Sequence, residues 1–334
     1  MFTVGMSLPA VFGTDVPKGN YADLTTKGFE LSVSWRDQFQ LASKPFNYEV
    51  RFTLADYQST IDKYNNPEKK LGDDYYYEGM KVGEIWGYET EGFFTSQADI
   101  DSHAKQPYFY AGATAGQWLP GDIKFKDLNG DGVIDYGNNT VDNPGDQKII
   151  GNSEPRFIYG INLSGDWNNF FVSAFFQGVG KQDWWPGSEA SYFWGMYNRP
   201  YNDMPKSHLG NIWTEENPNT YFPRLRGYSS EEPYAELNLK QTRYLQNIAY
   251  IRMKNIQLGY TLPKSFISKL RMQNAKVYVS GENLWSWSPF YKYSKDLDVE
   301  AVRGSDRDLT EGTSGNGYSY PILKSVSFGL SVTF

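Results

Sequence analysis

The sequence predicts an all-β protein, and three observations support this fold class. Apolar and polar residues alternate over long stretches, which places the apolar side chains of each stretch on one face of a strand. Aromatic residues, which favour strands, make up 17% of the 334 residues. Short turns and long connections separate the alternating stretches, as in antiparallel sheets whose strands follow one another along the chain.

The alternation defines each predicted strand. It is most regular at the end of the chain, where Phe328 and Leu330 share one face and Ser327 and Ser331 share the other. Because side chains point to opposite faces in turn, this face pattern requires extended backbone. The same pattern predicts strands at about 1–9, 28–38, 46–56, 80–90, 156–167, 169–179, 246–262, 275–286 and 321–334.

The length of the predicted strands indicates that they span a membrane. Several predicted strands run for about 10–14 residues, whereas a globular strand has about 5–6 and a tilted membrane-spanning strand about 9–11. The faces opposite the apolar ones carry Ser, Thr, Asn, Gln and Gly, which suits a wet lumen. We therefore predict a partial antiparallel transmembrane β-barrel of about nine strands, although single-chain bacterial barrels have even strand numbers.

The connections are unequal in a pattern that membrane barrels show. A tight turn at Trp167-Asn168-Asn169 joins two strands, while the segments 95–155, 180–245 and 287–320 are long. Outer-membrane barrels combine short periplasmic turns with long extracellular loops. We therefore expect these three segments to lie outside the cell and the C-terminus to lie on the periplasmic side.

Aromatic residues at strand ends suggest an interfacial girdle. Such girdles flank the apolar band of membrane barrels, although aromatic residues also favour strands in general. The residues in question are Trp35, Trp86, Tyr88, Trp167, Tyr260, Trp285 and Trp287.

Composition excludes several classes of function. The chain has no Cys and 2 His, which excludes disulfides, a thiol nucleophile and a cysteine-ligated or His-rich zinc site. The formal net charge of −7, without a basic block, argues against a nucleic-acid partner. The sequence has no run of 18 consecutive apolar residues, so it predicts no membrane-spanning helix. The N-terminal segment lacks the pattern of a signal peptide.

One loop has the ligand spacing of a calcium site. Carboxylate and amide oxygens at alternate positions, followed by glycine at a sharp turn, suit a hard cation. Asn138 stands where an EF-hand has its bidentate Glu, and the alternative is an Asn-Gly/Asp-Gly turn that binds nothing. We predict Ca²⁺ bound by Asp127, Asn129, Asp131, the Val133 carbonyl and Asp135.

A second segment, 183–203, is rich in aromatic rings beside Asp, Asn and Arg. Sugar rings stack on aromatic faces and need polar partners for their hydroxyls. Loop packing or contact with a partner protein would use the same residue types. The candidate substrate-binding residues are Trp184, Trp185, Tyr192, Trp194 and Tyr197.

The order of several motifs resembles the SusC/RagA family of TonB-dependent outer-membrane transporters. Those motifs are LPAVFGTDVPKGNYADLTTKGFELSVSW (8–35), GDIKFKDLNGDGVIDYGNN (121–139), QKIIGNSEPRFIYGINLSGDW (147–167), YIRMKNIQLGYTLPKSF (250–266), KVYVSGENLWSWS (276–288) and SVSFGLSVTF (325–334). The resemblance covers essentially the whole chain.

The resemblance implies a C-terminal part, residues 1–334, of a transporter barrel of about 22 strands. It implies that the signal peptide, N-terminal domain and plug are absent from this chain. It also implies outer-membrane import of oligosaccharides or peptides, a SusD-like surface lipoprotein over the mouth, energy from TonB through the missing N-terminal part, and contact with outer-membrane lipid.

We predict that the chain is not an enzyme. Nothing in the sequence selects a catalytic carboxylate pair, and His103 and His208 occur without a triad arrangement. The alternative hypothesis is a secreted, calcium-stabilised β-sandwich that binds or cleaves glycans. The two hypotheses differ in the surroundings of the apolar face, which a sandwich buries against a second sheet and a barrel exposes to lipid.

Overall fold

The computed structural model describes most of the chain. It covers residues 3–5, 18–20, 22–73, 75–106, 118–188, 190–199, 201–226, 230, 235–302 and 320–334. Within these ranges, no helix has the length and apolar character needed to cross a membrane.

Fifteen strands and a few short helices make up the described part. The strands are β1 Thr3–Gly5, β2 Lys18–Asn20, β3 Asp23–Leu41, β4 Lys44–Lys63, β5 Glu84–Tyr88, β6 Thr90–Phe93, β7 Ile123–Phe125, β8 Gln147–Asn152, β9 Arg156–Trp167, β10 Phe170–Lys181, β11 Asp183–Trp184, β12 Gln246–Asn247, β13 Tyr250–Thr261, β14 Asn274–Trp287 and β15 Ser325–Thr333. The α-helices are α1 Gln97–Ser102, α2 Ser191–Trp194 and α3 Lys264–Ile267, and the 3₁₀-helices are Gly195–Tyr197, Lys206–His208, Ser268–Leu270 and Pro289–Lys292.

One antiparallel sheet of seven strands dominates the fold, in the order β15-β14-β13-β10-β9-β4-β3. Neighbours in this principal sheet follow one another along the chain, because the other strands lie in the connections between them. The predicted all-β class is confirmed. The described residues form an open sheet with β3 and β15 at its edges, so the predicted closure and strand number stay predictions.

Two of the predicted strands differ from the structure. The prediction of a wall strand at 80–90 was wrong, because Glu84–Tyr88 pairs with β8 in a separate two-stranded sheet. Its alternation reflects burial within the long connection between β4 and β9. Of the strand predicted at 1–9, residues Thr3–Gly5 are described and pair with β2, while the rest lies outside the described residues.

Two-residue turns join two strand pairs at one end of the sheet. Asn168 and Asn169 adopt φ values of 49° and 70°, and Ala42 and Ser43 adopt 49° and 62°. Two consecutive residues in this region form the turn whose twist matches that of antiparallel strands. The predicted turn at 167–169 is confirmed, and asparagine adopts its left-handed backbone readily.

Residues paired across the sheet share a face, and one face is apolar across all seven strands. One row of this outer face consists of Trp35, Val50, Leu163, Ala174, Ile256, Gly281 and Val326. A second row, near the tight turns, consists of Phe39, Phe46, Trp167, Phe170, Tyr260, Val277 and Leu330. A row of the opposite, inner face consists of Arg36, Glu49, Ser164, Ser173, Gln257, Ser280 and Ser327.

The outer face is uncovered in the described part of the chain. Phe328 is 87% exposed and Leu330 is 67% exposed. A β-sandwich would bury such a face against a second sheet, and none of the described strands forms one over it. This geometry counts against the alternative hypothesis of a sandwich.

The main hydrophobic core lies beyond the other end of the sheet. There the described residues of the connections 64–155, 182–249 and 288–302, which we call the loop layer, fold together. Their buried centre includes Phe125, Trp194, Phe222, Tyr244 and Phe290. The described parts of the long predicted loops are therefore packed structure, which explains why they are rich in aromatic residues.

Candidate functional site

The aromatic residues of the predicted girdle occupy different places in the structure. Trp35 lies on the outer face in the row that also contains Ile256, away from both the turn-end row and Trp287. Trp285 and Trp287 are 47% and 55% exposed, at the end of β14 that meets the loop layer. Trp167 and Tyr260 lie in the outer-face row beside the tight turns. The assignment of Trp86 and Tyr88 to the girdle was wrong, because both lie in β5 within the loop layer. Their rings contact Tyr77 and Phe125 respectively.

Aromatic side chains on the inner face lie over glycines. The ring of Phe171 occupies the space that a Cβ at Gly259 would need, and the ring of Tyr278 does the same at Gly329. Both glycines belong to neighbouring strands at paired positions. The polar face of the sheet therefore has defined packing near its turn end.

The five predicted substrate-binding residues are brought together, but mostly as core. Trp184, Trp194 and Tyr197 are buried in the loop layer. Trp194 Nε1 donates to the Gly187 carbonyl at 3.0 Å, and Tyr197 Oη donates to the Pro223 carbonyl at 2.5 Å. Burial raises the pKa of Tyr197 above its usual range.

The accessible ring surface in this group belongs mainly to Tyr192, which is 56% exposed, and in part to Trp185. Trp185 packs against the core and its ring lies 6.2 Å from that of Trp194. Direct substrate contact by the five residues stays a prediction, and the structure restricts it to these two rings. The sequence shows an aromatic cluster but does not show which rings are covered.

The predicted calcium loop is closed by its own hydrogen bonds. The Asp127 carboxylate accepts the N–H groups of Gly130 at 2.6 Å and Gly132 at 2.9 Å. Asn129 Oδ1 accepts the Asp131 N–H at 2.9 Å, and Asp131 Oδ1 accepts the Val133 N–H at 2.8 Å. Gly130 and Gly132 adopt positive φ values of 79° and 83°, which glycine reaches without strain.

A buried carboxylate outside the predicted ligand set organises this loop. Asp146 is fully buried and accepts the N–H groups of Leu128 at 2.6 Å and Asp135 at 2.9 Å. Burial raises the pKa of Asp146. No local sequence pattern indicates this role, because Asp146 lies 18 residues from Leu128.

The loop brings the predicted ligands into one turn but does not cluster its carboxylates. Asp127, Asn129, Asp131, Val133 and Asp135 lie in one folded turn, as the ligand spacing requires. Across the described residues, however, no three His, Asp or Glu side chains are grouped closely enough to hold a metal ion. Calcium binding therefore stays a prediction, in which the carbonyl and amide oxygens must complete the ligand set.

Two buried ionic networks hold the loop layer together. Asp122 is fully buried and accepts from Arg224 Nε at 2.5 Å and Arg226 Nε at 2.9 Å. Glu236 accepts the Ile123 N–H at 2.9 Å beside this cluster. Burial, reinforced by the negative charge of Asp122, raises the pKa of Glu236 to about 8.

The second network fixes the loop after β14 to the sheet. Arg252 of β13 donates to Asp298 Oδ1 at 2.5 Å and lies 3.0 Å from Glu300. Lys254 Nζ donates to Glu300 Oε2 at 2.5 Å. Each network joins segments that lie far apart in the chain. Removal of one partner would leave an uncompensated buried charge, so these contacts hold the segments in place.

The loop layer also contains a cavity of about 610 Å³ that sequence reasoning missed. We call it the aromatic cleft. Described residues from segments 71–88, 136–147 and 238–240 form its walls, and these three parts lie far apart in the sequence. Its aromatic rings are those of Tyr75, Tyr77, Trp86, Tyr88 and Tyr136.

Comparisons with known proteins agree with the motif resemblance. No family model matches the sequence. TonB-dependent receptor P3 of Formosa agariphila is 26% identical over 345 residues, and the match covers 98% of this chain and 30% of the receptor. TonB-dependent receptor P26 of the same organism is 26% identical over 346 residues, with 98% and 31% coverage. The chain thus spans about a third of the length of these relatives, and its resemblance to TonB-dependent receptors is confirmed.

Solved structures show the same fold. The RagAB peptide transporter matches 99% of this chain with a TM-score of 0.62 at 17% sequence identity, over 32% of its own chain. The RagAB peptide importer in its 'closed-closed' state matches 98% of this chain with a TM-score of 0.63 at 17% identity, over 31% of its own chain. At this identity, the similarity concerns the fold.

Proposed function

We propose that this chain forms part of the barrel wall and the extracellular loops of a TonB-dependent outer-membrane transporter for nutrients. The observation that carries the proposal is the apolar outer face, which continues across seven strands and which no described segment covers. In water such a face would be an aggregation hazard, whereas lipid would solvate it. Similarity to TonB-dependent receptors over 98% of the chain supports the same conclusion.

The finer parts of the proposal concern substrate and partners. The transporter would import oligosaccharides or peptides, with a SusD-like surface lipoprotein over the loop layer. TonB would act through parts of the transporter that this chain does not contain. The packed loop layer supports this arrangement, because a rigid platform can present substrate and partner contacts at low entropic cost.

In this proposal the chain is not an enzyme. Both imidazoles serve structure: His103 Nε2 lies 2.8 Å from the Phe125 carbonyl, and His208 Nε2 lies 2.9 Å from the Phe193 carbonyl. Burial lowers the pKa of His208 and favours its neutral form. A Ca²⁺ ion at Asp127, Asn129, Asp131, Val133 and Asp135 would brace the loop and take no part in transport chemistry.

Cysteine labelling in intact cells tests the proposal, with the parent protein that carries neither substitution as the background control, because this chain itself contributes no Cys. Tyr201 is 79% exposed in the loop layer, and Asn168 lies in a tight turn at the opposite end of the sheet. A membrane-impermeant maleimide should label Tyr201→Cys in intact cells and Asn168→Cys only after the outer membrane is permeabilised. Equal labelling of both variants in intact cells, or recovery of the whole protein without detergent, would contradict the proposal.

A further inference from the structure

We propose that the aromatic cleft binds a neutral sugar chain and is a subsite for an imported oligosaccharide. The inference rests on the proposed transport function and assigns its substrate class. The cavity of about 610 Å³ falls within the range of roughly 300–1,000 Å³ that ligand sites occupy. Its residues lie outside the 183–203 segment that the sequence pattern singled out.

The cleft offers aromatic surface at two depths. Tyr75 is 46% exposed and Tyr136 is 37% exposed, so both rings are accessible to a ligand. Deeper in the cleft, Trp86 Nε1 lies 3.3 Å from Tyr77 Oη, and the two rings meet edge to face at 6.4 Å. The C–H faces of a pyranose ring stack on such surfaces, which supply most of the contact area in sugar sites.

Polar oxygens stand beside these rings. Glu84 accepts the Tyr77 hydroxyl at 2.5 Å and the Lys81 N–H at 3.1 Å. An ionised carboxylate has about four acceptor positions, so Glu84 keeps capacity for ligand hydroxyls. The side-chain amides of Asn139 and Gln147 also line the cleft, where Gln147 Nε2 donates to Asn139 Oδ1 at 3.3 Å. Hydroxyl groups, which both donate and accept, match such a mixed lining.

The charge of the lining selects against anionic ligands. Among the described residues that line the cleft, the charged ones are the carboxylates Asp73 and Glu84 and the cation Lys240. Lys240 Nζ is paired with Asp73 Oδ1. An acidic sugar or acidic peptide would therefore meet excess negative charge, whereas a neutral sugar would not.

The backbone around the cleft does not favour a peptide. One common way to bind an extended peptide is to add it as a strand to an open sheet edge, and strand β5 offers no such edge. Strand β5 already pairs with β8 on one side. On its other side, the Tyr88 N–H donates to the Lys240 carbonyl at 2.8 Å and the Thr242 N–H donates to the Tyr88 carbonyl at 3.0 Å.

The walls of the cleft are fixed before a ligand arrives. The Leu71 N–H donates to the Asn139 carbonyl at 2.8 Å, and Asn139 Nδ2 donates back to the Leu71 carbonyl at 2.9 Å. At Gly87 the Lys240 carbonyl approaches so closely that a Cβ would clash with it. Preformed walls reduce the ordering cost of binding.

Saturation-transfer difference NMR on the purified whole transporter in detergent tests the proposal. The probe is a mixture of neutral gluco-, galacto- and manno-oligosaccharides of roughly two to four units, a length that a cleft of this size admits. We expect saturation transfer to sugar C–H protons. Tyr136→Ala and Tyr75→Ala should each weaken binding roughly 2- to 10-fold through lost stacking. Tyr201→Ala, an exposed tyrosine outside the cleft, is the matched control and should leave binding unchanged.

Two results would overturn the proposal. One is the absence of transfer from the wild-type protein to every oligosaccharide of the mixture. The other is transfer that Tyr192→Ala abolishes and Tyr136→Ala leaves intact, which would assign the sugar to the 183–203 segment. Heat-modifiable migration confirms that each variant is folded. Cysteine labelling reports membrane topology separately, so a failed sugar site is distinguishable from a failed transport assignment.

Discussion

Apolar side chains of the same type are exposed on the principal sheet and buried in the loop layer. Phe328 on the outer face of the sheet is 87% exposed, whereas Phe222 in the loop layer is 2% exposed. The sheet carries its polar residues on the inner face, whereas the loop layer buries its aromatic rings in a hydrophobic core. The difference indicates that the two regions are built for different solvents, lipid for the sheet and water for the loop layer.

Charged residues show the same contrast. On the inner face of the sheet, the Arg36–Glu49 pair at 2.9 Å is solvent-exposed. In the loop layer, Asp122 and Glu236 are buried beside Arg224 and Arg226. Exposed pairs contribute little to stability, whereas buried networks fix the relative positions of distant segments. Variants that act on one region and spare the other test whether the two regions are stabilised independently.

The largest effect is expected at the centre of the loop layer. Trp194 is fully buried, with its ring 5.2 Å from that of Tyr244 and 4.8 Å from that of Phe193. Trp194→Ala should destabilise the loop layer by roughly 3–5 kcal/mol, the cost of a large buried cavity. Hydrogen exchange of the 182–249 segment should rise, while heat-modifiable assembly of the sheet survives. Tyr192→Ala is the control, and equal loss of sheet assembly would show that the regions are not separable.

The next effect concerns the outer face of the sheet. Ile256 lies in a row midway between the turn-end aromatic row and Trp287, whereas its neighbour Gln257 lies on the inner face. Ile256→Arg should cost roughly 2–4 kcal/mol at mid-membrane and Leu330→Arg less, because the penalty falls toward the interface. The folded fraction in outer membranes measures both. Gln257→Arg and Ser331→Arg are the matched controls, and equal tolerance on both faces would contradict the lipid assignment.

A smaller effect should appear in the pH dependence of the loop layer. The pKa of Glu236 is raised to about 8, so the folded state binds a proton that the unfolded state has released above its ordinary value near 4.5. Stability from this group is present at lower pH and is lost as pH rises through about 8. Protease resistance of the 182–249 segment should therefore decline from about pH 5 to about pH 8 and level off at higher pH.

The control for this prediction is Glu236→Gln, which keeps the shape and removes the charge. It should flatten the decline and raise resistance at the alkaline end. Burial lowers the pKa of His208 from 6.5, so its own contribution has the opposite sign and is complete above about pH 6.5. The decline between about pH 7 and 8 therefore reports Glu236. An unchanged decline in the variant would assign the pH dependence to another group.

The smallest effect is expected at the predicted calcium loop. If Ca²⁺ binds there, chelation should increase protease cutting between about residues 120 and 150, because three carboxylates repel one another without the cation. Asp131→Ala should have the same effect, and chelator should add nothing to it. Insensitivity of the wild-type loop to chelator would favour a plain turn, since Asp127 and Asp131 already accept backbone N–H groups.

Sequence periodicity predicted the sheet well and the loop layer poorly. The strands at β9, β10, β13 and β14, and the turn at Asn168 and Asn169, follow from the sequence to within a few residues. Alternation reports only that one side of a strand meets apolar surroundings. For that reason Trp86 and Tyr88, whose strand packs inside the loop layer, resembled wall residues.

The candidate sites show the same limit. The spacing from Asp127 to Asp135 predicted one local turn, but not the contribution of Asp146, which comes from later in the chain. The aromatic segment 183–203 was recognised as a cluster, whereas the burial of Trp194 and Tyr197 depends on residues that pack from other segments. The aromatic cleft, assembled from three separate segments, has no local sequence signal.

By itself, the sequence determined the strands, the face that each side chain takes and the motifs of the resemblance, because these depend on neighbours two to nine positions away along the chain. Only the tertiary structure decided which aromatic residues are covered and which line a cleft. Those outcomes depend on contacts between segments such as 84–88 and 238–240, which lie about 150 residues apart and meet through backbone hydrogen bonds. Local periodicity carries no information on such pairings, because burial is a property of the assembled surface.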